Sequence, residues 1–206
     1  RISRWWNANR DRIAADASGL RPIVDNHLDG FQKTVLGNPA YVVCASERRL
    51  LSQWRNYASS KGFAIRLDAS KSYGIVDDPV DGAPKDAPRT TSTPKKALTL
   101  LPTWVRVAYK RDQQDEVISK TFEWLAMKVG PVGRLLAAND ELNATTLVEA
   151  YVAALAASMK HPAYREEREV RLIAYLPENR RPQHHPAARR VVPFVRIMAT
   201  ADPDLC

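Results

Sequence analysis

Cysteine is nearly absent from this 206-residue chain, which has Cys44 and Cys206 and no others. Two cysteines cannot build a disulfide framework, so the reducing cytosol is the expected compartment. Glycine is scarce too, with eight in all, and none stands in a G-x-x-x-x-G-K-S/T, G-x-G-x-x-G or G-x-S-x-G pattern. That speaks against a P-loop NTPase, a Rossmann dehydrogenase and an α/β-hydrolase. There is no H-E-x-x-H and no C-x-x-C, and His27, His161 and the His184–His185 pair lack metal-ligand spacing, so no metal site is expected. No stretch approaches the roughly 18 uninterrupted apolar residues of a membrane span, and no membrane partner is expected. No basic lead with a short apolar run opens the chain either. It begins Arg1-Ile2-Ser3 without an initiator Met, as an excised piece of a longer chain would.

What is present is an ordinary globular composition, 45% hydrophobic and 26% charged, with 31 basic against 23 acidic side chains and a net charge of +8. Residues 1 to 66 carry 11 Lys or Arg against 5 acids, so +6 of that charge lies in the first third. The densest basic stretch, Arg180 to Arg190, includes His184 and His185 between Pro182 and Pro186, which predicts a loop. Such a surface suits phosphate backbones, anionic ligands or acidic proteins. It is equally the pattern of a solvated Arg-rich exterior, because no run of five or six basic residues occurs.

Hydrophobic periodicity predicts helices over 3–17, with Trp5, Trp6 and Ile13 inward, and over 22–36, opened by Pro22 and closed by Gly37-Asn38-Pro39. Tyr41 to Ser46 is short, apolar and β-rich and reads as a buried strand. In such a strand Cys44 is a small core hydrophobe before it is a thiolate nucleophile. A helix over 47–57 and a strand over 63–67 follow. Residues 77–97 hold Pro79, Pro84, Pro88 and Pro94 and are read as a mobile insertion rather than an ordered lid. Next come a strand over 104–109, a helix over 113–129 with Val117, Ile118, Leu125 and Val129 inward, and a stop at Gly130-Pro131. An alanine-rich helix over 145–159 is capped by Asn143 or Thr145, and strands over 169–176 and 191–198 close the chain. Pro193 puts the last strand at an edge or a bulge. Without a regular β-α-β rhythm, the order predicts a single α+β domain with a small mixed or antiparallel sheet and flanking helices.

Two stretches carry candidate chemistry. Glu167 and Glu169, if both extended, project to one side, and two converging carboxylates are costly unless a cation neutralises them or chemistry uses them. Arg165, Arg168 and Arg171 are the available cations, so a structural ion-pair lattice is the plain alternative. Ser46 and Glu47 lie where the first strand ends, and Gln53, Trp54 and Tyr57 share much of one helix side. They line a cleft or, read plainly, are core aromatics with polar neighbours.

These stretches together resemble an uncharacterised bacterial family, the domain of unknown function 2971. The matching elements are Cys44/Ser46/Glu47, Ser52/Trp54/Tyr57, Gly62/Ile65, Val105 to Tyr109, Glu167/Glu169/Arg171/Leu172/Ile173, and Arg190 to Phe194. The likeness runs over about residues 41–198. Val170 stands where the family often has Trp, and the family's H-Y-T-like strand and N-D-P-x-E segment do not occur here. The family's layout is similar to that of ADP-ribosyltransferases, which implies a split sheet and NAD as the cofactor consumed, in a toxin or phage-defence effector. Glu169 would then stabilise an oxocarbenium-like state and hold a ribose hydroxyl. Glu167 would deprotonate or orient the acceptor, nucleic acid or protein, while Ser46 and Glu47 support the cleft. The likeness also places Gln53, Trp54, Tyr57 and Arg171 on the NAD side, with an aromatic ring on nicotinamide and arginine on the pyrophosphate.

Two other readings follow from the residues alone. The basic surface suits a non-enzymatic nucleic-acid-binding or effector-docking module, although no helix-turn-helix, zinc finger or RNA-recognition signature accompanies it. The Glu167/Glu169 pair with a divalent metal suits a phosphodiester-cleaving nuclease, although the sequence places no third acid beside it.

Overall fold

A computed structural model describes residues 1–13, 19–34, 40–46, 65–68, 70–71, 73–76, 103–175, 182–187 and 190–199. The helix the sequence predicts over 47–57 and the insertion over 77–97 lie outside the described residues. Helix α1 spans Ile2–Ile13 and α2 Leu20–Thr34, followed by strands β1 (Ala40–Ser46), β2 (Tyr73–Val76) and β3 (Thr103–Arg106). Helices α3 (Arg111–Ala126), α4 (Pro131–Ala137) and α5 (Glu141–Ala157) come next, and a 3-10 turn, Pro162–Glu167, leads into β4 (Glu169–Tyr175). Strands β5 (Gln183–Ala187), β6 (Arg190–Phe194) and β7 (Arg196–Ala199) complete the described elements. This is the α+β class that the sequence predicts.

The helices share one core. Trp6, Leu20, Val24, Phe122, Val132 and Val148 are each fully buried in it. Trp5 stacks on Phe122 at 5.8 Å between ring centroids, and Trp6 tilts against the same ring at 4.7 Å. The Trp6 indole N–H donates to Asp25 Oδ1 at 2.7 Å, so the polar edge of a buried aromatic is satisfied from α2. Among the described residues no helix is long and apolar enough to cross a membrane.

Strand β4 is the centre of a three-stranded sheet in the order β1-β4-β3, antiparallel on both sides. Strands β2 and β7 form one antiparallel ribbon, and β5 and β6 another. In the main sheet the register sets Ser46 opposite Glu169, and Cys44 opposite Arg171 with Val105 on the other side. Directly opposed residues share a face, and this face looks toward the end of α5, where an Arg171 N–H donates to the Ala157 carbonyl. Beyond β3 the chain keeps to β4 through Val107 N–H to the Glu169 carbonyl at 3.1 Å, then bridges Met159 in parallel from Ala108.

Several local expectations are corrected. Strand β1 is not buried on both faces: Val42 and Val43 are 38% and 39% exposed and Cys44 is exposed. The reason is its position, since β4 is its one partner among the described strands. Residues 65–68 form no strand, and Ile65 is 86% exposed. Val129 lies beyond the end of α3 and is 77% exposed, and Phe122, two turns earlier, takes a core position. Gly130-Pro131 does not only stop a helix: Pro131, with its missing N–H, opens α4. Helix α5 starts earlier than predicted because the Asp140 side chain accepts from Asn143 N–H and caps it, not Asn143 or Thr145. The His184–His185 pair lies in β5, paired with β6, rather than in a loop. Pro193 stands opposite His184 in that two-stranded ribbon, the edge setting its ring requires.

Candidate functional site: a buried carboxylate–cation cluster

The chain reaches the site along three routes. Strand β1 ends at Ser46, β4 begins at Glu169, and the end of α5 delivers Lys160. Lys160 is fixed by its backbone: its N–H donates to the Ala108 carbonyl at 3.2 Å and its carbonyl accepts from the buried Gln114 amide at 3.0 Å. The same amide donates to the Ala108 carbonyl at 3.0 Å, so one side chain of α3 ties together the two bridged segments. Glu167 closes the 3-10 turn, and Arg168 turns the chain with a left-handed backbone at φ 41°. Glu169 then enters the ladder, its N–H donating to the Tyr109 hydroxyl at 3.0 Å.

Within this frame the Lys160 ammonium touches both carboxylates, Glu167 Oε2 at 2.5 Å and Glu169 Oε2 at 3.0 Å. Arg171 grips Glu169 with two bonds, Nε to Oε1 at 3.0 Å and an N–H to Oε2 at 3.1 Å. The Tyr164 ring lies 4.8 Å from the ammonium. The Glu169 side chain is only 5% exposed.

Burial alone would push the Glu169 carboxyl up. Hydrogen bonds from Arg171, the Cys44 thiol and Lys160 outweigh it and hold the carboxyl at about 2. For Lys160, burial opposes the charge, and the two carboxylates raise it well above the ordinary lysine range. Although Cys44 is exposed as a residue, partial desolvation of its thiol raises it, and so does the Glu169 carboxylate it donates to, which makes it a poor nucleophile at neutral pH. Burial likewise raises the Tyr109 hydroxyl. Glu169 is therefore an ionised carboxylate held between an ammonium and a guanidinium, and the Glu167 side chain bonds the same ammonium.

Of the residues that the sequence singles out, the structure brings together Ser46, Glu167, Glu169 and Arg171. Glu47, Gln53, Trp54 and Tyr57 lie outside the described residues. The carboxylates converge by a route other than an extended Glu167–Glu169 pair, because the 3-10 turn and the left-handed Arg168 stand between a strand geometry and the observed one. Their cations also differ from the expected arginine lattice: Lys160 replaces Arg165 and Arg168, both of which are exposed. Lys160 carries no motif, and Tyr109, which ends the Val105 to Tyr109 element of the family likeness, is not marked there as a site residue. The available signal was a lone lysine following an apolar, alanine-rich helix and preceding His161-Pro162. Among the described residues no group of three His, Cys, Asp or Glu side chains stands together for a metal.

The fold and the cluster define a small α+β protein whose central strand opens on a clamped, ionised glutamate. A family model described as "Protein of unknown function (DUF2971)" matches residues 53–172, more than half of the chain, and the chain belongs to that family. The match is narrower than the resemblance over residues 41–198. It takes in Tyr109, Lys160, Glu167, Glu169 and Arg171 and ends one residue beyond them, while Cys44 and Ser46 precede it. No curated protein and no solved structure matches the chain.

Proposed function

We propose that the chain is an ADP-ribosyltransferase-like enzyme that takes NAD as a substrate. The observation that carries this reading is the Glu169 carboxylate, buried and ionised where the end of β1 meets the start of β4. Breaking the bond between nicotinamide and ribose builds positive charge on the sugar, as glycoside hydrolysis does. A carboxylate already ionised and oriented stabilises that charge without reorganising. With its carboxyl at about 2, Glu169 carries no proton at neutral pH, so its part is electrostatic, with a hydrogen bond to a ribose hydroxyl. Arg171 serves by holding Glu169. Glu167 orients the acceptor, and Ser46 supports the wall of the cleft on the same sheet face. Glu47, Gln53, Trp54 and Tyr57, which follow Ser46 closely in the chain, supply the nicotinamide side in this proposal.

The test is consumption of NAD, read with fluorescent etheno-NAD, by the purified chain and by Glu169→Gln. Gln keeps an acceptor for Lys160 and Arg171 but removes the charge. Turnover by the parent, lost in a variant that circular dichroism shows to be folded at the assay temperature, is the expected result. No turnover by the parent, together with no NAD-dependent shift in melting, counts against the reading.

One observation favours a second reading, a binding module without catalysis. The two carboxylates are already balanced by Lys160 and Arg171, the arrangement of an ion cluster that fastens β4 to α5. The same balance lends no support to a metal-dependent nuclease, because a divalent cation would have to displace the ammonium. Under the module reading the +8 charge implies nucleic-acid binding that weakens steeply with salt, and a filter-binding titration at two salt concentrations measures it.

A further inference from the structure

Glu169 has a partner of its own in Arg171, which touches neither oxygen of Glu167 among the contacts described. The Lys160 ammonium is different, because it contacts one oxygen of each carboxylate. Those two contacts hold one oxygen of each carboxylate against the same nitrogen, Glu167 at 2.5 Å and Glu169 at 3.0 Å. Two carboxylates sharing a site cannot both ionise without a cation between them, and one of the pair then holds its proton to much higher pH. The ammonium is not placed by the carboxylates alone. Its own backbone is fixed to the continuation of β3 and to Gln114 of α3, and the helix before it ends at Ala157. The Glu167 side, by contrast, arrives on a six-residue 3-10 turn and a left-handed residue, a local path with no ladder to fix it.

We infer that Lys160 is the positioning residue of this site: its one ammonium, bonded to both, locks the Glu167 and Glu169 carboxylates into one arrangement and offsets the repulsion between them. Arg171 orients Glu169 within its strand, and Lys160 couples Glu169 to Glu167. The charged and titratable groups facing Glu169 are Cys44 from β1, Tyr109 beyond β3, Lys160 beyond α5, and Arg171 on β4 itself. Of these, Lys160 is the one that also bonds Glu167. The inference rests on the reading of Glu169 as the ionised carboxylate of the proposed reaction, and it names a residue that acts through that glutamate rather than on substrate.

The experiment is a carboxyl titration that needs no turnover. The full chain, with its glutamate side-chain carboxyls labelled with carbon-13, is titrated by NMR as the parent, Lys160→Met, Lys160→Gln and Lys160→Arg. Resonances are assigned with Glu167→Gln and Glu169→Gln. In the Met and Gln variants one carboxyl of the pair is expected to titrate about 2 pH units higher than in the parent. Arg restores the parent curve. A purely structural lysine would lower the melting temperature and leave the pair's titration where it was, and that result in either neutral variant overturns the inference. The Gln variant, shorter and still able to donate a hydrogen bond, keeps the test open if the Met variant does not fold. When NAD turnover is measured beside it, the acid limb should move upward in kcat with little change in KM. Absence of turnover in the parent refutes the proposed reaction and leaves the titration to decide the role of Lys160.

Discussion

Glu169 should make the stability of this protein depend on pH in a defined direction. Its carboxyl lies at about 2 in the fold against an ordinary value of 4.5. A carboxyl depressed by folding stabilises the native state above its unfolded value, and that contribution fades as pH falls toward the folded value. The two values imply a contribution of about 3 kcal/mol at pH 7, of which about 2 kcal/mol is gone by pH 3. Glu169→Gln removes this term and leaves the Lys160 and Arg171 charges short of a partner at a buried position, so the loss at pH 7 should be about 3–5 kcal/mol. Urea unfolding of parent and variant at pH 7, 5, 4 and 3, followed by tryptophan fluorescence, measures it. The gap between the two proteins should be constant from pH 7 to 5 and narrow below. A gap that stays the same down to pH 3 would refute the reasoning, because it would mean that the carboxylate is not held ionised by Arg171, Cys44 and Lys160.

Three further outcomes follow from the packing. Phe122→Ala removes the ring on which Trp5 and Trp6 rest at a fully buried position, and should cost about 3–5 kcal/mol in urea unfolding. Asp140→Ala deletes the cap of α5 and should cost about 1 kcal/mol, with a matching fall in melting temperature. Arg168→Gly relieves a left-handed backbone at φ 41° and should leave stability unchanged or raise it by about 1 kcal/mol in the same assay, whereas Arg168→Val should lower it.

How far the site could be read from the sequence depended on whether its parts were neighbours in the chain. Glu167, Glu169 and Arg171 lie within five residues, and the cost of gathering two carboxylates makes them stand out in the sequence. Ser46 was legible because it ends a short apolar strand. Lys160 was not legible, and Tyr109, although it ends a stretch of the family likeness, was not legible as a partner of Glu169: they join it through a parallel bridge at Ala108 and Met159 and a hydroxyl contact across 60 positions, and neither pairing leaves a local pattern. Val42 and Val43 show the same limit in the sheet. An apolar, β-branched run is equally consistent with a central strand and an edge strand, because neighbours, not composition, decide which faces and edges are covered.

By itself the sequence determined the α+β class, most of the helices, the strand from Glu169 and the membership that the 53–172 match shows. These depend on periodicity, helix-stop residues and local order, which are properties of contiguous residues. The tertiary structure alone decided that β4 is central, that Lys160 rather than Arg165 or Arg168 neutralises the glutamates, and that Glu169 is ionised and buried at once. Those are outcomes of long-range register and of desolvation balanced against paired charge, and neither exists until the chain has folded.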